Sequence, residues 1–309
     1  MAPYPLHMLI SNPWVGVTYT TFLIPAAEHL ARAANGAVAH LLVRPMWEAR
    51  AVHPKYVADV RRLMQNAPNL RVTYAAATPE DDVLYRQTGL HSICCSHNAF
   101  IDETLFAPDP DAEKLYDAIY VGRFTPFKRH ELATLVPRIA VLATPDGLDE
   151  AYADASIAGY RDLRFVNYES GVGVTKLPPE DVRRMMTQSR CGLALSAIEG
   201  AMYASIEYLL SGLPVVTTPS QGGRDAFFHP DYVETVESEP TAVAAGVQRI
   251  LARGLDPQMI RARTIGLMKP HRARLLMWLS GIAQQNLFPL ANENFWLPSF
   301  RHKLDTWIT

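Results

Sequence analysis

The apolar positions of this chain keep switching between two periods. Short unbroken runs such as "HMLIS" at 7–11 read as buried strands. They give way to stretches with apolar residues three and four apart, which read as helices. The first such stretch is 19–34, with Phe22, Leu23, Ala26 and Leu30 on one face. "AVAHLLVRP" at 37–45 predicts a second strand, "PKYVADVRRLMQNA" at 54–67 an amphipathic helix, and "LRVTYAAA" at 70–77 a third strand. "DDVLYRQTG" predicts a short helix ended by Gly89, and "SICCSHN" at 92–98 a fourth strand. Strands alternating with helices imply βαβ units and a parallel sheet.

"FAPDPDAEK" at 106–114, rich in proline and charge, reads as a linker. The alternation then restarts, with strands expected at 117–122, 139–144, 164–168, 191–196 and 214–218. Helices are expected at 129–136, 147–158, 179–189 and 201–211, and further helical segments at 240–253 and 256–284. The expected architecture is α/β: two facing, Rossmann-like, doubly wound parallel-sheet domains, residues 1–105 and 106–285, the first unusually small. The aromatic-rich tail, residues 286–309, breaks at Pro298 and would pack back on the first domain. Open sheets bind ligands at the carboxyl ends of their strands, so two of them place the natural site in the cleft between.

Composition changes this picture little. Hydrophobic residues make up 49% and charged residues 19% of the 309 positions, an ordinary globular mix. The net charge of −2 provides no global basic field for nucleic acid. Three cysteines, Cys94, Cys95 and Cys191, offer neither zinc spacing nor a disulfide framework, which fits a reducing cytoplasm. The start lacks the pattern of a secretory signal, and no apolar run is long enough to span a bilayer. A cytoplasmic location is expected, with peripheral contact at the inner membrane surface and the oligomeric state left open.

Two stretches carry chemistry. In "YVGRFTPFKRHELA" at 120–133 a strand ends at Gly122, and Arg123 and Lys128 follow in the loop that opens the next element. Two cations beyond a strand's carboxyl end make an anion clamp, Arg as a planar fork and Lys as a mobile point charge. In "SAIEGAMYASIEYLLSGLPVV" at 196–216, Glu199 stands beside Gly200 in a loop, and a helix begins near Ala201. The first amides of that helix lack intrahelical partners and suit an anion, and Ser205 would add a hydroxyl. Glu207 lies inside the otherwise apolar helix, where a carboxylate needs partners. A nucleotide sugar would supply them, because a diphosphate on the helix start puts hydroxyl-rich groups on both sides, and carboxylates accept from hydroxyls.

The segments "VGRFTPFKR", "SAIEGAMYASIE", "SGLPVVTT" and "GGRD" resemble, in order and spacing, the retaining GT-B glycosyltransferases of the glycosyltransferase family 4 type, with its E-x7-E motif. The resemblance is strong over about residues 92–253. "SHNAFIDETLFAP" is similar to that family's interdomain segment, with an Asn, then an Asp, then Phe-x-Pro. In the first 90 residues only the βαβ pattern and a Gly16 loop after the first strand match. The resemblance implies a GT-B fold and metal-independent transfer, with retention, from a nucleoside-diphosphate sugar, most readily a UDP- or GDP-sugar, with no cofactor. It implies that Arg123 and Lys128 hold the diphosphate, with Gly122 beside them. Glu199 and Gly200 would meet the transferred sugar, Glu207 the ribose, and the backbone around Met202, Tyr203, Ala204 and Ser205 the phosphate. The loop around Asn167 and Tyr168 would frame the base, mostly through its backbone, and Gly16 would let the small domain approach the donor. Two departures stand out: Met202 occupies the place of a second family glycine, and the half that supplies the acceptor site is short. The acceptor, a glycan, lipid-linked or small molecule, is not readable; His97 and Asn98 are its candidate contacts.

"SGVGVTK" at 170–176 lacks the spacing of a dinucleotide or P-loop motif and reads as a flexible loop near the base. The histidines form no metal cluster, and "GGRD" at 222–225 reads equally as donor lining or as a charged turn. The basic run Arg261, Arg263, Lys269, Arg272 and Arg274 reads as the solvated face of a helix. Two rival functions stay open: a nucleotide-sugar epimerase, and a non-catalytic nucleotide-sugar-binding protein.

Overall fold

The computed structural model describes residues 6–144, 150–160, 163–169, 173–284 and 287. Most of the tail and part of the 170–176 loop lie outside them. Leu287, the one tail residue described, is buried and donates its amide to Ser280 Oγ at 3.1 Å.

The N-terminal sheet has five strands: β1 (Leu6–Ser11), β2 (Trp14–Tyr19), β3 (Ala39–Arg44), β4 (Leu70–Ala76) and β5 (His91–Cys94). β1 and β2 form an antiparallel hairpin, and β2 to β5 run parallel. The expectation of a doubly wound half fails here, because the spatial order is β1-β2-β3-β4-β5. Each crossover steps the same way, and crossovers share one hand, so the three helices must lie on one face. They do: α1 (Leu23–Ala33), α2 (Ala49–Asn66) and α3 (Pro79–Gln87) bury Leu30, Tyr56 and Tyr85 against Leu41, Val43, Val72 and Tyr74. Tyr56 and Tyr74 stack at 5.3 Å. Local chemistry starts the helices. Glu48 accepts from the amides of Arg50 and Ala51 at 2.9 Å, and Thr78 accepts from Asp81 at 3.1 Å.

The C-terminal sheet has six parallel strands: β6 (Ala118–Arg123), β7 (Ile139–Thr144), β8 (Arg164–Phe165), β11 (Gly192–Ala194), β13 (Val215–Thr217) and β15 (Val233–Thr235). Two short pairs complete the strands, β9 (Tyr168–Glu169) with β10 (Gly173–Val174), and β12 (Ile198–Glu199) with β14 (Gln221–Gly222). The sheet order is β15-β13-β11-β6-β7-β8. The chain starts at β6 in the middle, winds outward to β8, then crosses back to β11 and winds the other way. That is the doubly wound order, with its reversal between β6 and β11. The helices here are α4 (Glu150–Gly159), α5 (Pro179–Thr187), α6 (Tyr203–Leu210), α7 (Pro240–Ala252) and the long α8 (Pro257–Ala283).

α8 solves the problem left by the N-terminal sheet, whose second face has no helix of its own. Val15, Val17, Leu42 and Ala75 on that face share one core with the C-terminal half. Trp278 of α8 meets the His40 ring edge-on at 6.5 Å, and Ser96 donates its amide to His271 Nδ1 at 3.0 Å. The basic run on α8 is a solvated face only in part: Arg263, Lys269 and Arg274 are exposed, Arg263 pairing with Asp231 at the surface, whereas Arg261 and Arg272 turn toward the N-terminal half. Arg261 donates to the carbonyls of Phe106 and Glu103 at 2.6 Å, Arg272 donates to Ala99 O at 2.7 Å and pairs with Glu103, and Arg274 donates to Cys94 O. Only Lys269 of the run is exposed without a described partner. The 106–114 segment forms no helix or strand. The helix expected at 129–136 is instead two short 3-10 turns, Pro126–Lys128 and His130–Ala133.

Candidate functional site

The loop after β6 is shaped to aim one lysine. Gly122 leaves room for its stem: a Cβ there would stand 3.4 Å from Lys128 Cδ. Arg129 takes a left-handed backbone, φ 54°. Its guanidinium anchors the loop across the strand reversal, donating to Leu195 O at 2.6 Å, Thr218 Oγ1 at 2.7 Å and Ser238 Oγ at 3.2 Å. Tyr120 donates its hydroxyl to Lys128 O. The Lys128 ammonium, buried by these constraints, pairs with the carboxylate of Glu199. Burial holds its pKa below the usual lysine range and the Glu199 charge opposes that shift, while Arg123 and Arg224 add to the lowering.

The loop after β11 is held as firmly. Gly192 sits on the ring of Tyr208, whose hydroxyl accepts from the Val121 amide at 2.7 Å and ties α6 beneath β6. Glu199 lies in β12, paired with β14, where Gly222 adopts φ 97° and a Cβ would overlap Glu199's carbonyl oxygen. Arg224, fully buried, stitches the loops together. Its Nη1 donates to the carbonyls of Ala194 and Ser196, its Nη2 to Thr217 Oγ1 and Thr218 O, and its Nε to Asp225. Arg224 of "GGRD" is thus not a surface charge; it is the internal brace of the loop that carries Glu199.

The two sheets meet through their carboxyl ends. A Cβ on Gly200 would stand 2.7 Å from the backbone of Met46 and Trp47, so the two loops touch directly. Trp47 is half exposed, meets Phe127 edge-on at 6.2 Å and lies 5.9 Å from the Arg123 guanidinium carbon. Asn98, in the turn after β5, donates to Met202 O at 3.1 Å. His97 is buried with its ring 5.3 Å from that of Tyr203, and burial keeps it neutral, with the Arg44 charge adding to the effect.

The structure thus brings Arg123, Lys128, Glu199, Gly200 and the start of α6 to one place, with His97, Asn98, Met202 and Tyr203 along the seam. It corrects two placements, Gly16 and the Ser205 hydroxyl. Gly16 lies inside β2, not in a βα loop, and faces Leu6 and Leu30 under α1. The strand that contains it follows a two-residue turn at Asn12-Pro13, so the chain has already reversed before the first helix. The Asn167 side chain is committed to the fold, accepting from Ala143 N at 2.9 Å and donating to the carbonyls of Ala143 and Thr175 at 2.7 Å, which leaves the expected base contact to the backbone. Ser205 Oγ turns inward, 2.8 Å from Met202 O and 3.1 Å from Arg224 O. Glu207 is buried midway along α6, Ala204 is buried beside it, and Tyr168 is half-buried in β9. Sequence reasoning missed Arg44 and Trp47, and it quoted Arg129 and Arg224 within their motifs without their bracing roles. Arg44 had a legible signal, a cation at the carboxyl end of an apolar strand; the others depend on contacts distant in sequence.

Among the described residues no His, Cys, Asp and Glu side chains group in threes to hold a metal, and no helix is long and apolar enough to cross a membrane. No protein-family model matches the chain, and no curated protein does. Solved structures do share its fold. Sucrose-phosphate synthase from Thermosynechococcus elongatus superposes with a TM-score of 0.58 at 15% identity, over 89% of this chain and 74% of the other. HepE from Anabaena, in complex with UDP, gives 0.58 at 13% identity over 86% and 78%. A glycosyltransferase from Rickettsia africae ESF-5 gives 0.56 at 12% identity over 85% and 82%.

Proposed function

We propose that the chain is a GT-B glycosyltransferase that moves a sugar from a nucleoside-diphosphate sugar to an acceptor, with retention and without a metal. The observation that carries this reading is the meeting of Lys128 and Glu199. They come from the two loops that flank the strand-order reversal, beside the first turn of α6. A crevice at such a reversal is where doubly wound sheets hold their ligands. HepE, similar in fold, was solved with UDP and with UDP-glucose.

In this reading residues 106–285 hold the donor and 1–105 face the acceptor. Lys128, Arg123 and the α6 amides neutralise the charge that develops on the leaving diphosphate, fixed donors in a site that needs no reorganisation. Glu199 accepts from hydroxyls of the transferred sugar, and Lys128 holds it in place. Glu207 takes the ribose, and the backbone around Asn167 and Tyr168 frames the base. The acceptor attacks from the N-terminal side, near His97 and Asn98.

A thermal-shift panel of UDP-, GDP-, ADP- and TDP-sugars tests the donor, since a ligand specific for the folded state raises the midpoint by mass action. The expected result is a rise with one nucleotide class, followed by slow donor hydrolysis or transfer that survives a chelator. Silence across the panel removes the donor reading, an epimerised donor replaces it with an isomerase, and chelator-sensitive turnover removes the metal-free chemistry.

A further inference from the structure

Two arginines are buried at the carboxyl ends of the strands, and the protein treats them in opposite ways. Arg224 has all its guanidinium nitrogens bonded to carbonyls, a hydroxyl or a carboxylate. Arg44, the last residue of β3, is 2% exposed. Its Nη2 donates to Tyr203 Oη at 2.9 Å, while Nε and Nη1 have no partner. Its guanidinium carbon lies 5.1 Å from the Tyr19 ring centroid and 5.9 Å from that of Tyr203. Aromatic faces ease a buried cation, but they do not satisfy N–H donors. A permanent charge with unused donors in a buried place is costly unless something comes to meet it.

What surrounds Arg44 is also unfinished. His97 has no partner at either ring nitrogen, and Asn98 Oδ1 and Ser96 Oγ have none. These groups sit on the turn after β5, so they face the seam from the same sheet as Arg44. Tyr203, which receives Arg44's hydrogen bond, opens α6, and the backbone just beyond Arg44 lies against Gly200. Unpartnered polar atoms, the Arg44 donors foremost, are therefore gathered on the N-terminal side of the seam, across from the loop that carries Glu199 and Gly200.

We propose that Arg44 is an oxyanion-binding residue, which takes a phosphoryl or carboxylate group of a substrate lodged between the two sheets, with His97 beside it. The fork geometry and permanent charge of Arg suit such a group. Two substrates could bring it: the diphosphate of the donor, or an acidic acceptor. Arg123 and Lys128 already serve a diphosphate on the other sheet, so the placement of Arg44 favours the acceptor. The choice between these sources rests on the proposed function; the anion site itself does not.

Arg44→Met tests it, with thermal melts and calorimetric titration of UDP, uridine and inorganic phosphate, the last with and without saturating UDP. A ligand-binding arginine predicts that the variant without ligand melts at or above the wild-type temperature, because an unsatisfied charge has been removed. It also predicts loss of the phosphate-induced rise. If UDP affinity is unchanged while the phosphate response in its presence is lost, the oxyanion belongs to the acceptor. If UDP binding weakens about tenfold with uridine binding unchanged, it belongs to the donor. Wild-type UDP affinity together with a wild-type phosphate response overturns the proposal and makes Arg44 structural. Should Arg44→Met not fold, Arg44→Lys keeps the charge and loses the fork, and a weakened response to the same probes is expected. Wild-type protein that ignores UDP but responds to phosphate through Arg44 would sink the donor reading and leave the anion site standing.

Discussion

The two sheets are built from the same βαβ unit and differ in one decision of topology. The N-terminal sheet adds each strand to the same edge, so its helices crowd one face and no gap opens between neighbouring loops. The C-terminal sheet reverses between β6 and β11, the position at which doubly wound sheets open a crevice for ligands. Chemistry follows that difference. The crevice holds the Lys128–Glu199 pair, braced by Arg129 and Arg224, while the N-terminal sheet contributes a rim of Tyr19, Arg44, Trp47 and His97. The bare face of the N-terminal sheet is in turn covered by α8, so the smaller half has one core of its own and shares the other with the larger.

On the proposed function, substitutions at the strand-order reversal should therefore cost turnover, and those in the N-terminal sheet should cost stability or substrate choice. The largest expected effect is at Lys128. Lys128→Met keeps the stem that packs on Gly122 and removes the charge, so transfer or donor hydrolysis should fall by about 10²- to 10³-fold, as when one fixed donor is deleted from an oxyanion hole. Circular dichroism should be unchanged. Retained turnover in a folded variant would dissolve the contrast between the sheets at its centre.

Next comes Gly222. Its φ of 97° belongs to a region that other residues rarely adopt, and a Cβ would overlap the carbonyl oxygen of Glu199. Gly222→Ala should lower the melting temperature by about 5 °C or more and displace Glu199, so turnover falls together with stability. A variant that melts like wild type would mean the Glu199 loop is not held by β14.

Much of the C-terminal half was legible in the sequence. "IAVLAT" is β7 to the residue, and α7 and α8 lie within a residue or so of their expected spans, because long apolar periods bounded by Gly and Pro leave little choice. Strand order was not legible, because it is decided by which edges pair across dozens of residues. "WVGVTY" was missed as a strand because a two-residue turn and a glycine make it look like a loop. The basic run of α8 was misread in part, because Arg261 and Arg272 find their carbonyls about 150 positions or more away, where a helical wheel sees only charge on a surface. The candidate site was legible in its residue types and spacing; that Glu199 would meet Lys128, and that Gly200 would rest on Met46 and Trp47, required the fold.

The seam made by α8 gives a smaller effect with a definite sign. His271 Nδ1 accepts from the Ser96 amide and so must be unprotonated there. Burial, helped by the Arg274 charge, lowers its pKa to about 4. The unfolded chain takes up that proton first, near the ordinary histidine value of about 6.5. The stability contributed by neutral His271 is thus full above about pH 6.5 and is lost as pH falls toward 4. Melts of wild type and His271→Asn at pH 7.5 and 5 should show wild type losing more on acidification. Equal losses would mean that this contact does not clamp the bare face of the N-terminal sheet.

The smallest expected effect is at Gly16, and it separates two accounts of the N-terminal half. A phosphate-loop glycine replaced by alanine loses nucleotide affinity and little stability. A strand glycine under a helix does the reverse. The structure puts Gly16 in β2, where a new Cβ would stand 2.9 Å from Leu6 Cδ1, 3.4 Å from Leu30 Cδ2 and 3.6 Å from Met8 sulfur. All three are flexible side chains, so the overpacking is partly relieved, and the loss of freedom in the unfolded chain offsets some of the rest. Gly16→Ala should therefore destabilise by about 1 kcal/mol or less and leave UDP affinity untouched. A tenfold weaker UDP complex in a variant that melts normally would return Gly16 to the ligand and give the N-terminal sheet a share in donor binding that its strand order denies it.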